Sequence, residues 1–336
     1  MNNLEELTLK IEKIISDEKA QNPDIQYLDI SHAPLIAQII SNYNLKPSQS
    51  DFPNAEMIFL GAPTGSGKDT LVKKIESDNP NKNFVTLNMD IFRYYHNELS
   101  QDQEYISDKE YALKTNQTSY ELYYIIQEII LKEFPGTNII VTGTMRDLEW
   151  VREIITRYKT DLQTHYSTSL ATLAVPVNES AFSIFERYLS MVNEKGFSNT
   201  PLRYTDLTYH NDTVKKFLSN IYFFEEEFHK NTSSRLFDNI KVYRRNNDIY
   251  DTSEDTLVYD SSSNNAANSN KCAFAHINEI MYSSANISES RINRLLDIIK
   301  QNSKYLKSQN LYNSIIMDLK KVLSQFDKTS KDIPQY

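Results

Sequence analysis

The stretch "IFLGAPTGSGKDTLVKKI", residues 58–75, constrains the fold of this chain more than any other. An apolar run enters a glycine-rich turn, and Lys68 opens a helix. A strand–loop–helix unit of this kind turns backbone N–H groups toward an anion, and the helix dipole reinforces them. The usual phosphate-loop pattern is G-x-x-x-x-G-K-[ST]. Here the first position is Ala62, with Gly61 just before it, and the eighth is Asp69, followed by Thr70. Gly61, Ala62, Pro63, Thr64, Gly65, Ser66, Gly67, Lys68, Asp69 and Thr70 form the candidate nucleotide-binding loop. The plain alternative is a β–α turn with a chance lysine. Three glycines between Gly61 and Gly67, after a strand and before a helix, are hard to explain by packing alone. A hydroxyl at the eighth position ordinarily ligates Mg²⁺. Asp69 offers a carboxylate and Thr70 a hydroxyl, and both suit an ion that prefers oxygen.

The rest of the chain alternates in the way such a loop requires. "EMIFLGA", "NFVTLNMD", "NIIVTGT", "SLATLAVPV" and "NIKVYRR" read as strands, with helical segments between them. Apolar strands separated by helices predict an α/β fold. It is a P-loop NTPase-like parallel sheet of about five strands with helices on both faces. The helical pattern at Leu4, Leu7, Ile11, Ile14 and Ile15, with a second short helix over residues 33–43, predicts an N-terminal helical region over 1–50. The kinase-like domain then spans 51–258. A polar low-complexity linker occupies 259–273 and contains "DSSSNNAANSNK". Two apolar stripes follow, Ile292, Leu295, Leu296 and Ile299, then Leu311, Ile315, Leu319, Val322 and Phe326. They predict a C-terminal helical hairpin over 274–336, packed on the main domain or on a partner.

Charge and cysteine usage narrow the function. Net charge is −9, from 36 basic and 45 acidic residues, so there is no chain-wide cationic excess to neutralise a nucleic-acid backbone. The single cysteine, Cys272, allows no intrachain disulfide and no thiolate zinc cluster. No stretch approaches the length of a membrane span, and the acidic amphipathic N-terminus is no signal peptide. The expectation is a cytoplasmic protein with no nucleic-acid or membrane partner.

Open α/β sheets place ligands at the carboxyl ends of their strands. Asp90 ends the second strand in "LNMDIFRYYH", where it either takes a proton from an acceptor hydroxyl or caps a helix. "TGTMR" ends the third strand, with Gly143, Thr144 and Arg146. Arg187 in "SIFERYLSM" and Arg203 in "TPLRY" suit charge on a transferring phosphoryl group, and a surface salt bridge is the alternative for each.

Taken in order, the phosphate loop, "LNMDIFRYYH", "NIIVTGTMRD", "TLAVPVNESAFSIFERYLSM", "TPLRYTDL" and "NIKVYRRNNDIY" resemble the zeta toxins of epsilon–zeta toxin–antitoxin systems. The resemblance runs from about residue 55 to 252, and the "AVP" strand end followed by "ERY" is its most specific part. It implies a kinase that uses ATP or GTP with Mg²⁺ to phosphorylate the 3′-hydroxyl of UDP-N-acetylglucosamine. It also implies a helical antitoxin partner, a role that a helical segment of the chain could fill in cis. By resemblance Lys68 binds the nucleotide phosphates and Asp90 is the catalytic base. Thr144 and Arg146 contact the substrate, Arg187 stabilises the γ-phosphoryl group, and Arg93 joins the candidate substrate contacts. "YRRNNDIYD" is similar to the family's final β-hairpin.

The departures concern the acceptor. Thr142 stands where the family often has Glu, and a substrate-binding Glu on the preceding helix falls near Gln127, or at Glu128 with a different gap. Ser198 or Asn199 stands where a second arginine is expected, with Arg203 as its replacement. A kinase of another nucleotide metabolite, such as NAD, and a nucleotide-binding interaction module with little catalysis are therefore the other readings.

Overall fold

The computed structural model describes residues 3–43, 45, 55–99, 108–160, 165–195, 204–230, 235–245, 255–262, 272–283 and 287–325. Its strands are β1 (Glu56–Gly61), β2 (Phe84–Asn88), β3 (Asn138–Gly143), β4 (Ser167–Ala174), β5 (Asn239–Arg244) and β6 (Thr256–Asp260). They form one sheet in the order β2-β3-β1-β4-β5-β6. The first five are mutually parallel, as the apolar runs require. β1 and β4 are buried along almost their whole length, because helices cover both faces.

The sixth strand adds to the expected five. It pairs antiparallel to β5, with a bulge at Val242/Tyr243. Its residues are half-buried or exposed, so "TLVYD" lacks the buried run that marks the parallel strands. It extends to Asp260, across the position 258 where the sequence places the end of the domain.

α1 (Asn3–Gln21) and α2 (Ala33–Ser41) share the main core rather than standing apart. Ile11, Ile15, Leu28 and Ile36 pack with Leu122, Ile126 and Ile129 of the long helix α6 (Asp108–Glu133). Between α1 and α2 the chain is tied down by one carboxylate. Glu121 accepts the backbone N–H groups of Gln26, Tyr27 and Leu28 at 3.0, 2.8 and 3.1 Å. The remaining helices of the α/β part are α3 (Lys68–Asp78), the short α4 (Met89–Phe92) and α5 (His96–Leu99), α7 (Leu148–Lys159), α8 (Val177–Lys195) and α9 (Leu207–His229). Among the described residues no helix is long and apolar enough to cross a membrane.

Beyond the linker, the expected hairpin is four helices among the described residues. α10 (Ala273–Met281) joins the main core through Ile277 and Met281, and the Glu225 carboxylate accepts the N–H groups of Ala273 and Phe274 at its start. α11 (Glu289–Gln301), α12 (Ser303–Ser308) and α13 (Tyr312–Ser324) build a second core against α8. Leu295, Ile299, Ile315 and Leu319, from the two stripes, meet Phe182, Phe185 and Leu189 there. Phe326 lies outside the described residues.

Glu121→Ala removes the acceptor of three amides, of which the Leu28 N–H is buried. Leaving such donors unpaired costs about 1–3 kcal/mol. Thermal unfolding should shift down, and trypsin should cut near Lys19 sooner, with Glu121→Gln milder because it keeps one acceptor oxygen. Equal melting of both variants and the wild type would remove this tie from the account of the N-terminal region.

Candidate active site

The strands deliver their ends to one edge. Leu60, Thr142 and Asn88 stand side by side across β1, β3 and β2. The phosphate loop leaves β1, an interior strand, and turns into α3 with Gly65 at φ 81° and Gly67 at φ 89°. This left-handed backbone favours glycine. At Gly65 space matters as well, since a Cβ would stand 2.1 Å from the Ser180 carbonyl oxygen and 3.0 Å from Ile184, both on α8. Ala62 takes the place of the expected first glycine without strain, and its N–H donates to the Gly143 carbonyl at 3.2 Å. At Gly61 a Cβ would meet the Met145 sulfur at 2.0 Å, so the buried Met145 side chain would have to move to admit one.

Lys68 arches back over the loop and donates to the carbonyls of Ala62 and Pro63 at 3.0 and 3.3 Å. Its ammonium therefore lies at the loop that would take phosphates. Ser66 Oγ closes the turn by donating to the Pro63 carbonyl at 2.6 Å. In the first turn of α3, Asp69 is exposed, whereas the Thr70 hydroxyl lies 3.8 Å from the position a Cβ of Gly67 would occupy. The hydroxyl thus faces the loop and the carboxylate faces solvent.

The loop has a support that sequence reading missed. Arg245, just past β5 and almost wholly buried, donates to the carbonyls of Gly65 and Ser66 at 3.2 and 3.0 Å and to Glu179 Oε1 at 2.7 Å. "YRR" quotes this arginine, yet nothing local separates it from its neighbour Arg244, which is exposed. Nearby, Asp255 is buried with no hydrogen-bond partner for either oxygen, and burial pushes its carboxyl up to about 6 against the pull of Arg245.

Asp90 lies two residues beyond β2. The helix-cap alternative for it falls away, since Asn88 is the N-cap of α4 and its side chain accepts the Asp90 N–H at 2.9 Å. The Asp90 carboxylate is half-exposed and takes a bond from Arg93 Nε at 3.2 Å. Arg93 is buried, donating also to Thr115 and Asn116 of α6 at 2.9 Å each. It holds the carboxylate from behind. Neighbouring parallel strands lie about 4.8 Å apart, so two strand spacings put the ends of β2 and β1 roughly 10 Å apart. That gap is of a size to hold an acceptor beside a nucleotide.

The other candidates divide. Arg187 is exposed on α8, one turn beyond Ile184 and two beyond Ser180, hence on the helix face that meets Gly65. Arg146 is engaged at the surface, donating to Asp212 at 2.9 Å with its guanidinium 4.6 Å from the Tyr209 ring centre. Thr142 is buried in β3, and Thr144 is half-buried just beyond it. Gln127 is buried on α6 and lines a groove of about 640 Å³ between α6 and α7, with Tyr123 and Trp150. Glu128 is committed elsewhere, to a bidentate pair with Arg157 and a 3.4 Å contact with Lys132. Arg203, Ser198 and Asn199 lie outside the described residues.

A parallel sheet with a glycine loop and lysine after an interior strand defines a P-loop, kinase-like α/β protein. The zeta toxin family matches residues 42–255, and the chain belongs to that family. A structure from the PezAT chromosomal toxin–antitoxin system of the human pathogen Streptococcus pneumoniae is similar, with a TM-score of 0.57 and 18% identity over 84% of this chain and 98% of that one. So is a complex of AvrRxo1-ORF1 and AvrRxo1-ORF2 with sulphate ions, at TM-score 0.53 and 13% identity over 93% of each chain. A complex of the same pair with ATP gives TM-score 0.50 and 13% identity over 88% of this chain and 89% of that one. At such identities the likeness is one of fold. No curated protein sequence matches the chain.

His210 on α9 packs against the start of α8, completely buried, with Nε2 2.9 Å from the Oγ of Ser180, whose carbonyl meets the loop. Burial lowers its pKa from 6.5 to about 4. Between those values the unfolded chain binds the extra proton and the native one does not. Stability is therefore full above pH 6.5 and falls as the pH drops through about 4, by up to about 3 kcal/mol. Melting temperature against pH should show that decline, and His210→Gln should flatten it. Parallel curves for both proteins would mean that another group carries the acid sensitivity.

Proposed function

We propose that the chain is a phosphotransferase that moves the γ-phosphoryl group of ATP or GTP to a hydroxyl of a UDP-sugar. By family resemblance that hydroxyl is the 3′-OH of UDP-N-acetylglucosamine. The observation that carries the reading is Asp90, a solvent-reaching carboxylate held by the buried Arg93 on the same sheet edge as the phosphate loop. Asp90 takes the proton of the acceptor hydroxyl as its oxygen attacks the γ-phosphorus, and the bond to the β–γ bridging oxygen breaks. Lys68 and the backbone N–H groups at the start of α3 hold the phosphates. Arg187, on the α8 face that meets the loop, offsets charge on the transferring group, and Arg203 serves the same charge. Thr144 and Arg146 contact the acceptor.

The oxygens of Thr70 and Asp69 suit Mg²⁺, with the Thr70 hydroxyl the better placed because it faces the loop. The ion, when bound, neutralises charge on the β- and γ-phosphates.

A second reading, a kinase of another nucleotide metabolite such as NAD, draws on specific positions. Thr142 carries no charge, Gln127 is an amide, and Glu128 is spent on Arg157. The acidic contacts expected for the sugar are thus replaced or occupied. For a partner, family membership and the likeness to PezAT support a helical antitoxin acting in the cytoplasm. The N-terminal helices belong to the main core and α11–α13 pack on α8, which supports a scaffold role for both rather than inhibition in cis.

Asp90→Asn should keep the bond from Arg93 and leave nucleotide binding intact, while phosphoryl transfer falls by about 10²-fold or more. Full activity in that variant would refute the mechanism. The acceptor is found by incubating the protein with ATP, Mg²⁺ and UDP-N-acetylglucosamine, NAD or a metabolite extract, and seeking a product heavier by one phosphoryl group by mass spectrometry. No product from any of them would favour the binding-module reading.

A further inference from the structure

A continuous chain of charged contacts runs from the C-terminal helices to the phosphate loop. Arg291, in the first turn of α11, grips Glu186 on α8 with both arms of its guanidinium, Nε to Oε1 at 2.9 Å and Nη2 to Oε2 at 2.5 Å. Its Nη1 lies 3.7 Å from Glu179 Oε1, and its plane lies over the Phe182 ring at 5.4 Å. Glu179 is two helical turns before Glu186 on the same face of α8. The same Glu179 oxygen accepts from Arg245 at 2.7 Å, and Arg245 holds the carbonyls of Gly65 and Ser66. Glu179 is buried between two guanidinium groups, one from β5's end and one from the C-terminal helices.

The direction of Arg245's pull matters for the loop. In a trans peptide the N–H of a residue points opposite the preceding carbonyl. Holding the Ser66 carbonyl against Arg245 therefore turns the Gly67 N–H away from Arg245. That donor sits at the N-cap of α3, where a phosphate would bind. Besides Glu179, the side chain of Arg245 reaches Ser183 Oγ at 3.5 Å and draws on the Asp255 carboxyl, and its Nε is buried without a partner among the described residues. Its position depends on Glu179, and a buried carboxylate stripped of one of two cations is reorganised at considerable cost. The family match ends at residue 255, before α11 begins.

We propose that Arg245 is a positioning residue of the phosphate loop, and that the C-terminal helices set its grip through Arg291 and Glu179. The C-terminal helices are then a built-in support of the nucleotide site. The inference rests on the kinase reading for its ATP readout only. The order of the loop is a property of the chain alone.

The test uses the full chain and hydrogen–deuterium exchange without nucleotide, followed by titration with ATP and Mg²⁺. Arg291→Ala should raise exchange in residues 62–70 and weaken ATP binding about fivefold or more, the usual lower range for coupling between sites. Arg291→Lys, which keeps a charge and a stem over Phe182 but loses the fork, should fall between this variant and the wild type. It also serves where the alanine variant loosens α11–α13 themselves. In a Glu179→Gln background, Arg291→Ala should add no further change at the loop. Unchanged loop exchange in both Arg291 variants, or an undiminished effect in the Glu179→Gln background, would overturn the proposal. Wild-type ATP binding matched by both variants, with unaltered exchange, would leave the kinase reading standing alone. A wild type that binds neither ATP nor GTP, yet whose loop exchange responds to Arg291, would keep the brace and remove the kinase reading.

Discussion

Gly65 and the Ser180 carbonyl approach so closely that no side chain fits between the phosphate loop and α8. That contact sets the rest of the site. It brings the face of α8 bearing Arg187 to the loop, whose carbonyls at Gly65 and Ser66 find their own donors. Arg245 supplies them, and its second arm reaches Glu179 on the same helix. The loop is thus packed on one helix and tied to it through one arginine. Its shape owes as much to α8 and β5 as to its own glycines.

The sheet edge explains how loop and acceptor side come together. Strand order puts β3 between β1 and β2, so the end of β3 lies between the phosphate loop and Asp90. Gly143 is confined by Trp150 and Phe59, either of which a Cβ would crowd at 2.9–3.0 Å. The chain then passes through Met145 at φ 52° before α7 begins. Asn220 of α9 secures that strained turn by donating to the Met145 carbonyl at 2.6 Å. A helix far along the chain thereby fixes the segment carrying Thr144 and Arg146.

Much of this was legible in the chain itself. Five apolar strands, the glycine loop and Asp90 at a strand end are local patterns, and parallel strands buried on both faces announce themselves as unbroken apolar runs. β6 was harder to see, because an edge strand lacks such a run. The motif order also carried the resemblance to the zeta toxins, a family to which the chain belongs. What stayed hidden were partnerships across long separations. Arg93 looked like a substrate contact, yet its donors go to Asp90, Thr115 and Asn116. Glu128 looked like a possible sugar ligand, yet Arg157 holds it.

The parallel sheet and its phosphate-binding turn are written in the chain, because those features follow from apolar period, glycine placement and one lysine. So are the apolar helical stripes after the linker. How those helices divide, α10 to the main core and α11–α13 to α8, emerges from the packed molecule. So does the line of Arg291, Glu179 and Arg245 to the loop. The reason is physical: periodicity reports which face of a helix is buried, whereas the partner of a buried charge is set by where distant elements cross.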